Sequence, residues 1–132
     1  MEKLFIPATQ TSPEICFDPE TWEFHILGKS APEDVRSLYY PVIEWTTRLV
    51  NTLLLNPGLT GGKGIRLEVN LTYFNSSSGK FLHDIFTELA RFRQKGGKID
   101  VVWYYDSEDT DMYEAGVDMA SLAEMEFTFM PK

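Results

Sequence analysis

Between Ile65 and Phe74 apolar and polar residues alternate without a break. Ile65, Leu67, Val69, Leu71 and Tyr73 point one way and Arg66, Glu68, Asn70 and Thr72 the other, which is the period of a strand with one buried face. Shorter stretches of the same kind precede it. Lys3 to Ala8 and Glu14 to Phe17 read as strands, and Trp22 to Leu27 as the return strand of a hairpin turned at Asp18-Pro19-Glu20-Thr21 and stopped by Gly28. From Val35 the period lengthens. Leu38, Tyr39, Val42, Ile43, Leu49, Val50, Leu53 and Leu54 recur at helical spacing, with Ser30-Ala31-Pro32-Glu33 as the start signal and Pro41 as a point where the helix should kink or divide. Leu82, Ile85, Phe86, Leu89 and Phe92 mark a second helix that ends at Gly96-Gly97. Ile99 to Tyr105 is nearly all apolar and predicts a strand buried on both faces. Met112, Ala115, Met119 and Leu122 mark a third helix, and Glu126 to Met130 a closing strand.

The order β-β-β-α-β-α-β-α-β predicts a single domain spanning residues 1–132, of the α/β class. Its sheet should be single and mixed, with about five to six strands, parallel in the second half and packed with helices. A chain of 132 residues with 43% hydrophobic side chains can build a proper core. Its formal net charge of -8 argues against nucleic acid or an anionic membrane as the main partner, since both select clustered Lys and Arg. The single cysteine, Cys16, has no intramolecular disulfide partner. The N-terminal residues lack a signal-peptide layout, and no apolar run is long enough to span a bilayer, so a cytoplasmic protein without membrane insertion is expected.

Chemistry concentrates in two places. Asn75-Ser76-Ser77-Ser78-Gly79-Lys80 lies where a strand hands over to a helix. Such residues cap helices, and one would suffice for that. The same helix start, with its free amides and partial positive charge, also suits a phosphate, which Lys80 can approach from one turn beyond Ser76. Neither Ser78-Gly79-Lys80 nor Gly61-Gly62-Lys63-Gly64 has the spacing of a nucleotide-binding loop. The second place is Asp106-Ser107-Glu108-Asp109-Thr110-Asp111 with Glu114, an acidic stretch suited to capping a helix or docking a protein. A metal-dependent phosphohydrolase using Asp106, Asp109 and Asp111 is the enzyme alternative. A Ser76, His83, Asp106 triad lacks the strained elbow that exposes a nucleophilic serine.

Several islands occur together in order: Ile6-Pro7-Ala8-Thr9, Phe17-Asp18-Pro19, Gly28-Lys29-Ser30, Tyr40-Pro41 with Glu44-Trp45, Tyr73 to Ser78 with Lys80, Trp103-Tyr104-Tyr105-Asp106, and Asp109 to Met112 with Glu114-Ala115-Gly116. In these the chain resembles the SiaC-type regulatory phosphoproteins of bacteria, which are related in fold to the STAS domains of anti-sigma factor antagonists. The resemblance implies a non-enzymatic switch without a cofactor. It would be phosphorylated at Ser76 by a Ser/Thr kinase, with Ser77 and Ser78 as alternates, and reset by a PP2C-type phosphatase. Unphosphorylated, it would bind and activate a diguanylate cyclase and so raise cyclic di-GMP and promote aggregation or biofilm growth. Antagonism of a switch kinase or anti-sigma factor is the alternative within the same class. Two departures stand out. Serine occupies position 76 where the family usually has threonine, and the turn at Glu20-Thr21-Trp22 lacks the glycine common there.

Overall fold

The computed structural model describes all residues from Met1 to Lys132. Six strands and three helices follow one another as β1 (Leu4–Ile6), β2 (Glu14–Asp18), β3 (Glu23–Ser30), α1 (Val35–Leu55), β4 (Ile65–Phe74), α2 (Ser76–Gln94), β5 (Ile99–Tyr105), α3 (Thr110–Leu122) and β6 (Phe127–Pro131), with a 3₁₀ turn at Pro57–Thr60. They form one mixed sheet in which spatial order equals chain order, β1-β2-β3-β4-β5-β6. The first two pairings are antiparallel and the last three parallel.

Three successive crossovers that step the same way across a sheet, each right-handed, place their helices on one face. The core bears this out. Ile15, Phe17, Phe24, Ile26, Leu67, Val69, Leu71, Val101, Trp103 and Phe127 from the strands form one cluster with Tyr39, Leu49, Leu53, Leu82, Phe86 and Leu89 from α1 and α2 and Met112 from α3. The opposite face carries Glu14, His25, Arg66, Glu68, Asp100 and Tyr104, tied together by His25–Glu14 (2.8 Å), Arg66–Asp100 (3.0 Å) and a hydrogen bond from the Tyr104 hydroxyl to Glu68 (2.6 Å). That carboxylate, accepting the phenolic proton, holds Tyr104 above the usual tyrosine range. The expectation that β5 is buried on both faces holds at its centre, from Val101 to Trp103, although the helices cover only one face. Val101 and Trp103 face the helices, while Val102 is buried on the bare side, between Glu68 and Thr128 in the neighbouring strands.

Three local expectations also change. Gly28 does not stop β3. Its φ of +114° and a register shift between Gly28 and Lys29 make a bulge, after which the strand runs on to Ser30. Ser30 is therefore not a helix cap; α1 is capped by Asp34, whose carboxylate accepts from the Ser37 amide (3.1 Å) and hydroxyl (2.6 Å). Pro41 does not divide α1, which continues through it to Leu55. The end of α2 matches the glycine signal in detail. Lys95 is the C-cap, Gly96 takes φ +95°, and the amides of Gly96 and Gly97 return to the carbonyls of Arg93 (3.0 Å) and Phe92 (2.9 Å). In the β2–β3 turn Trp22 adopts the left-handed φ of 63°. Its amide bonds to Asp18 O (2.8 Å), its carbonyl receives the Arg66 amide (3.0 Å), and its side chain is buried, which together hold the strained backbone in place.

Candidate functional site

The parallel strands β3, β4 and β5 deliver their C-terminal ends to one edge of the sheet, and α2 begins there directly after β4. Asn75 lies between them with extended backbone and caps the helix, its side-chain oxygen accepting the Ser78 amide at 2.8 Å. The Asn75 amide donates to the carbonyl of Ser30 at the end of β3, 3.0 Å away. A helix start leaves four amides without intrahelical partners, so those of Ser76 and Ser77 remain for solvent or an anion. Both of these serines are exposed. Ser78 is not. It has no accessible surface, and its hydroxyl donates to the Ser30 carbonyl at 3.0 Å. Folded as it is, the chain presents the hydroxyls of Ser76 and Ser77 to solvent but not that of Ser78.

Beneath this turn runs a buried chain of hydroxyls. The Ser30 hydroxyl donates to Ser78 Oγ (2.8 Å), so the Tyr39 hydroxyl, 2.6 Å from Ser30 Oγ, must be the donor to it. Burial pushes the Tyr39 hydroxyl above the usual tyrosine range, keeping it a donor at any physiological pH. Three elements, β3, α1 and α2, are thereby fastened at one point. Neither Ser30 nor Tyr39 stood out as a site residue in the sequence. The available signal was a tyrosine on the inward stripe of α1, whose hydroxyl needs a buried partner. Lys80 is exposed and makes no ion pair; its ammonium lies 5.5 Å from the Phe81 ring centroid.

A family model described as SiaC family regulatory phosphoprotein matches residues 6–132. The chain belongs to the SiaC family. An uncharacterised protein of Pseudomonas aeruginosa strain UCBPP-PA14 is 31% identical over 114 residues, 86% of this chain and 84% of that relative. Apo-SiaC from Pseudomonas aeruginosa superimposes with a TM-score of 0.82 at 28% identity, covering 98% of this chain and 99% of that one. SiaC in complex with the diguanylate cyclase SiaD, which it activates, gives 0.84 at 27% identity with the same coverage. The mixed six-stranded sheet with three helices is the SiaC fold.

The acidic stretch lies at the same edge of this SiaC-family sheet. Asp106 accepts the Glu108 amide (3.0 Å), and Asp109 caps α3 through the Met112 amide (3.0 Å). Asp111 and Glu114 are exposed on the first turns of α3. Leu71, Thr72, Asp106, Glu108, Asp109 and Lys132 line a cleft of about 490 Å³ there. Thr72 and Asp109 also line a second cleft of about 390 Å³, together with Tyr73, Phe74, Asp111, Met112 and Ala115. No group of three or more His, Cys, Asp or Glu side chains comes together to hold a metal ion. Asp106, Asp109 and Asp111, the carboxylates of the phosphohydrolase alternative, form no such group. No helix is long and apolar enough to cross a membrane.

Proposed function

We propose that this chain is a phosphorylation-gated regulator that binds and activates a diguanylate cyclase while unphosphorylated, and that modification of Ser76 releases the cyclase. A Ser/Thr kinase would set the switch and a PP2C-type phosphatase reset it, in the cytoplasm. The observation that carries the reading is the match, over 98% of the chain, to SiaC in its complex with the cyclase it activates. Support comes from Ser76 itself, an exposed hydroxyl at a helix start whose cap and first turn are already fixed.

Magnitudes favour a switch that acts on the partner and not on the fold. A phosphate at a helix N-terminus gains about 0.3–2 kcal/mol locally. Trapping it unpaired in an interface costs several kcal/mol, and about 1.4 kcal/mol is a factor of ten in affinity. Chain prepared with and without phosphate on Ser76 should differ at least about tenfold in affinity for the diguanylate cyclase of the same cells, with cyclic di-GMP synthesis following the bound fraction. Equal affinity of the two forms would dispose of the reading. Capture of an anti-sigma factor in place of a cyclase would favour the antagonist alternative.

A further inference from the structure

Exposed aromatic surface occurs beside Ser76, across the seam between α1 and α2. Tyr40 is 55% exposed, yet its ring is fixed edge-on to Phe81, with centroids 5.6 Å apart and planes at 69°. Phe81 in turn stacks on buried Tyr39, 5.6 Å away and within 5° of parallel. The Lys80 ammonium lies over the same Phe81 ring. Arg36 stands one turn before Tyr40 on the outer face of α1, as Ser76 stands one turn before Lys80 on α2. Ion pairs engage Arg48, Arg66 and Arg91 but neither Arg36 nor Lys80. Asp84, one turn beyond Lys80, makes no ion pair with it. The hydroxyl chain through Tyr39, Ser30 and Ser78 anchors both helices below, so the platform is preorganised.

We propose that Arg36, Tyr40, Lys80 and the rim of Phe81 form the surface on which the unphosphorylated chain receives an acidic segment bearing an apolar side chain from its cyclase. The inference rests on the phosphorylation switch proposed above. A rigid exposed tyrosine between two cations that form no salt bridge has the composition of an interface anchor, and in a chain of net charge -8 these cations are a local attraction set against a repelling background. Phosphate on Ser76 closes the surface by taking Lys80 for itself and presenting negative charge to the acidic segment. That explains why the modified residue sits one turn from Lys80 while the acidic cleft lies on the other side of β4.

The test measures binding of phosphate-free chain to the purified diguanylate cyclase of the same cells. Tyr40→Ala, Lys80→Glu and Arg36→Glu should each weaken binding about tenfold or more, while Glu20→Lys, exposed in the β2–β3 turn at the other end of the sheet, stays within about twofold of wild type. Lys80→Glu should add little in a Ser76→Asp background, because both changes remove the same attraction. All three side chains are exposed, and Arg36→Glu disturbs no packed group, so an unfolded variant cannot account for a loss common to all. Binding within twofold of wild type for the three variants, with phosphate on Ser76 still blocking, would overturn this surface and leave the switch standing. An effect of Glu20→Lys as large as that of Lys80→Glu would also overturn it. Wild-type chain that binds the cyclase in neither state would overturn the surface and the switch together.

Discussion

The hydroxyl of Ser78 donates to the backbone carbonyl of Ser30, 3.0 Å away across 48 residues of sequence and out of reach of solvent. The same carbonyl accepts the amide of Asn75, so the end of β3 sets where α2 begins. Ser78→Ala deprives the buried Ser30 hydroxyl of its acceptor as well as removing its own bond. It should cost about 1–3 kcal/mol in urea unfolding. Ser77→Ala, one residue earlier and exposed, should change stability by no more than about 0.5 kcal/mol.

Gly116 in α3 faces Trp103 at contact distance. A Cβ there would lie 2.6 Å from the indole ring and 2.8 Å from Phe129, and the indole is already held by its bond to the Met112 carbonyl (3.0 Å). Gly116→Ala should therefore destabilise by about 1–3 kcal/mol through overpacking, against the usual gain for alanine in a helix. Thermal unfolding reads the sign.

Glu124 occupies the position after the α3 C-cap with φ of 54°, while the amides of Glu124 and Met125 return to the carbonyls of Ser121 (3.1 Å) and Ala120 (3.0 Å). This is the geometry that α2 gives to Gly96. Glu124→Gly should relieve the strain and raise stability by about 1 kcal/mol, a rise of a few degrees in the unfolding midpoint.

Asp34 is held below its ordinary value of 3.8 by hydrogen bonds from the Ser37 side chain and then the Ser37 amide. A carboxyl whose folded pKa is depressed contributes stability that is present above its unfolded pKa and lost as pH falls through the folded one. The stability advantage of wild type over Asp34→Ala should be constant from neutral pH down to the ordinary carboxylate range and shrink below it. Chemical denaturation across that range checks the slope. An advantage unchanged at the lowest pH would mean that Asp34 does not cap α1 through its ionised form.

The order of elements was legible because each carries its own period: two in β4, between three and four in α1 and α2, with glycine or asparagine at the junctions. What escaped was anything dependent on phase. Ser30-Ala31-Pro32-Glu33 has the look of a helix start, but Ser30 keeps the inward phase of Phe24 and Ile26 and enters the core, where it meets Tyr39 and Ser78. The extra residue of the bulge, Thr72, lies on β4 opposite Gly28 and Lys29, so that beyond it Phe74 and not Tyr73 packs on the core. Likewise an apolar run such as Ile99 to Tyr105 shows that a strand is well covered, but not whether helices or neighbouring side chains cover it. For the candidate site, Asn75 and Ser76 were visible as chemistry, whereas the burial that separates Ser78 from its two neighbours is a tertiary fact.

Strand order that repeats chain order has a bearing on how the molecule comes into being. Each strand from β2 onward docks against the one made just before it, and none must be threaded between two already paired. Closure distances stay short, and an emerging polypeptide can extend its sheet outward during translation, presenting only one unfinished edge at the growing end.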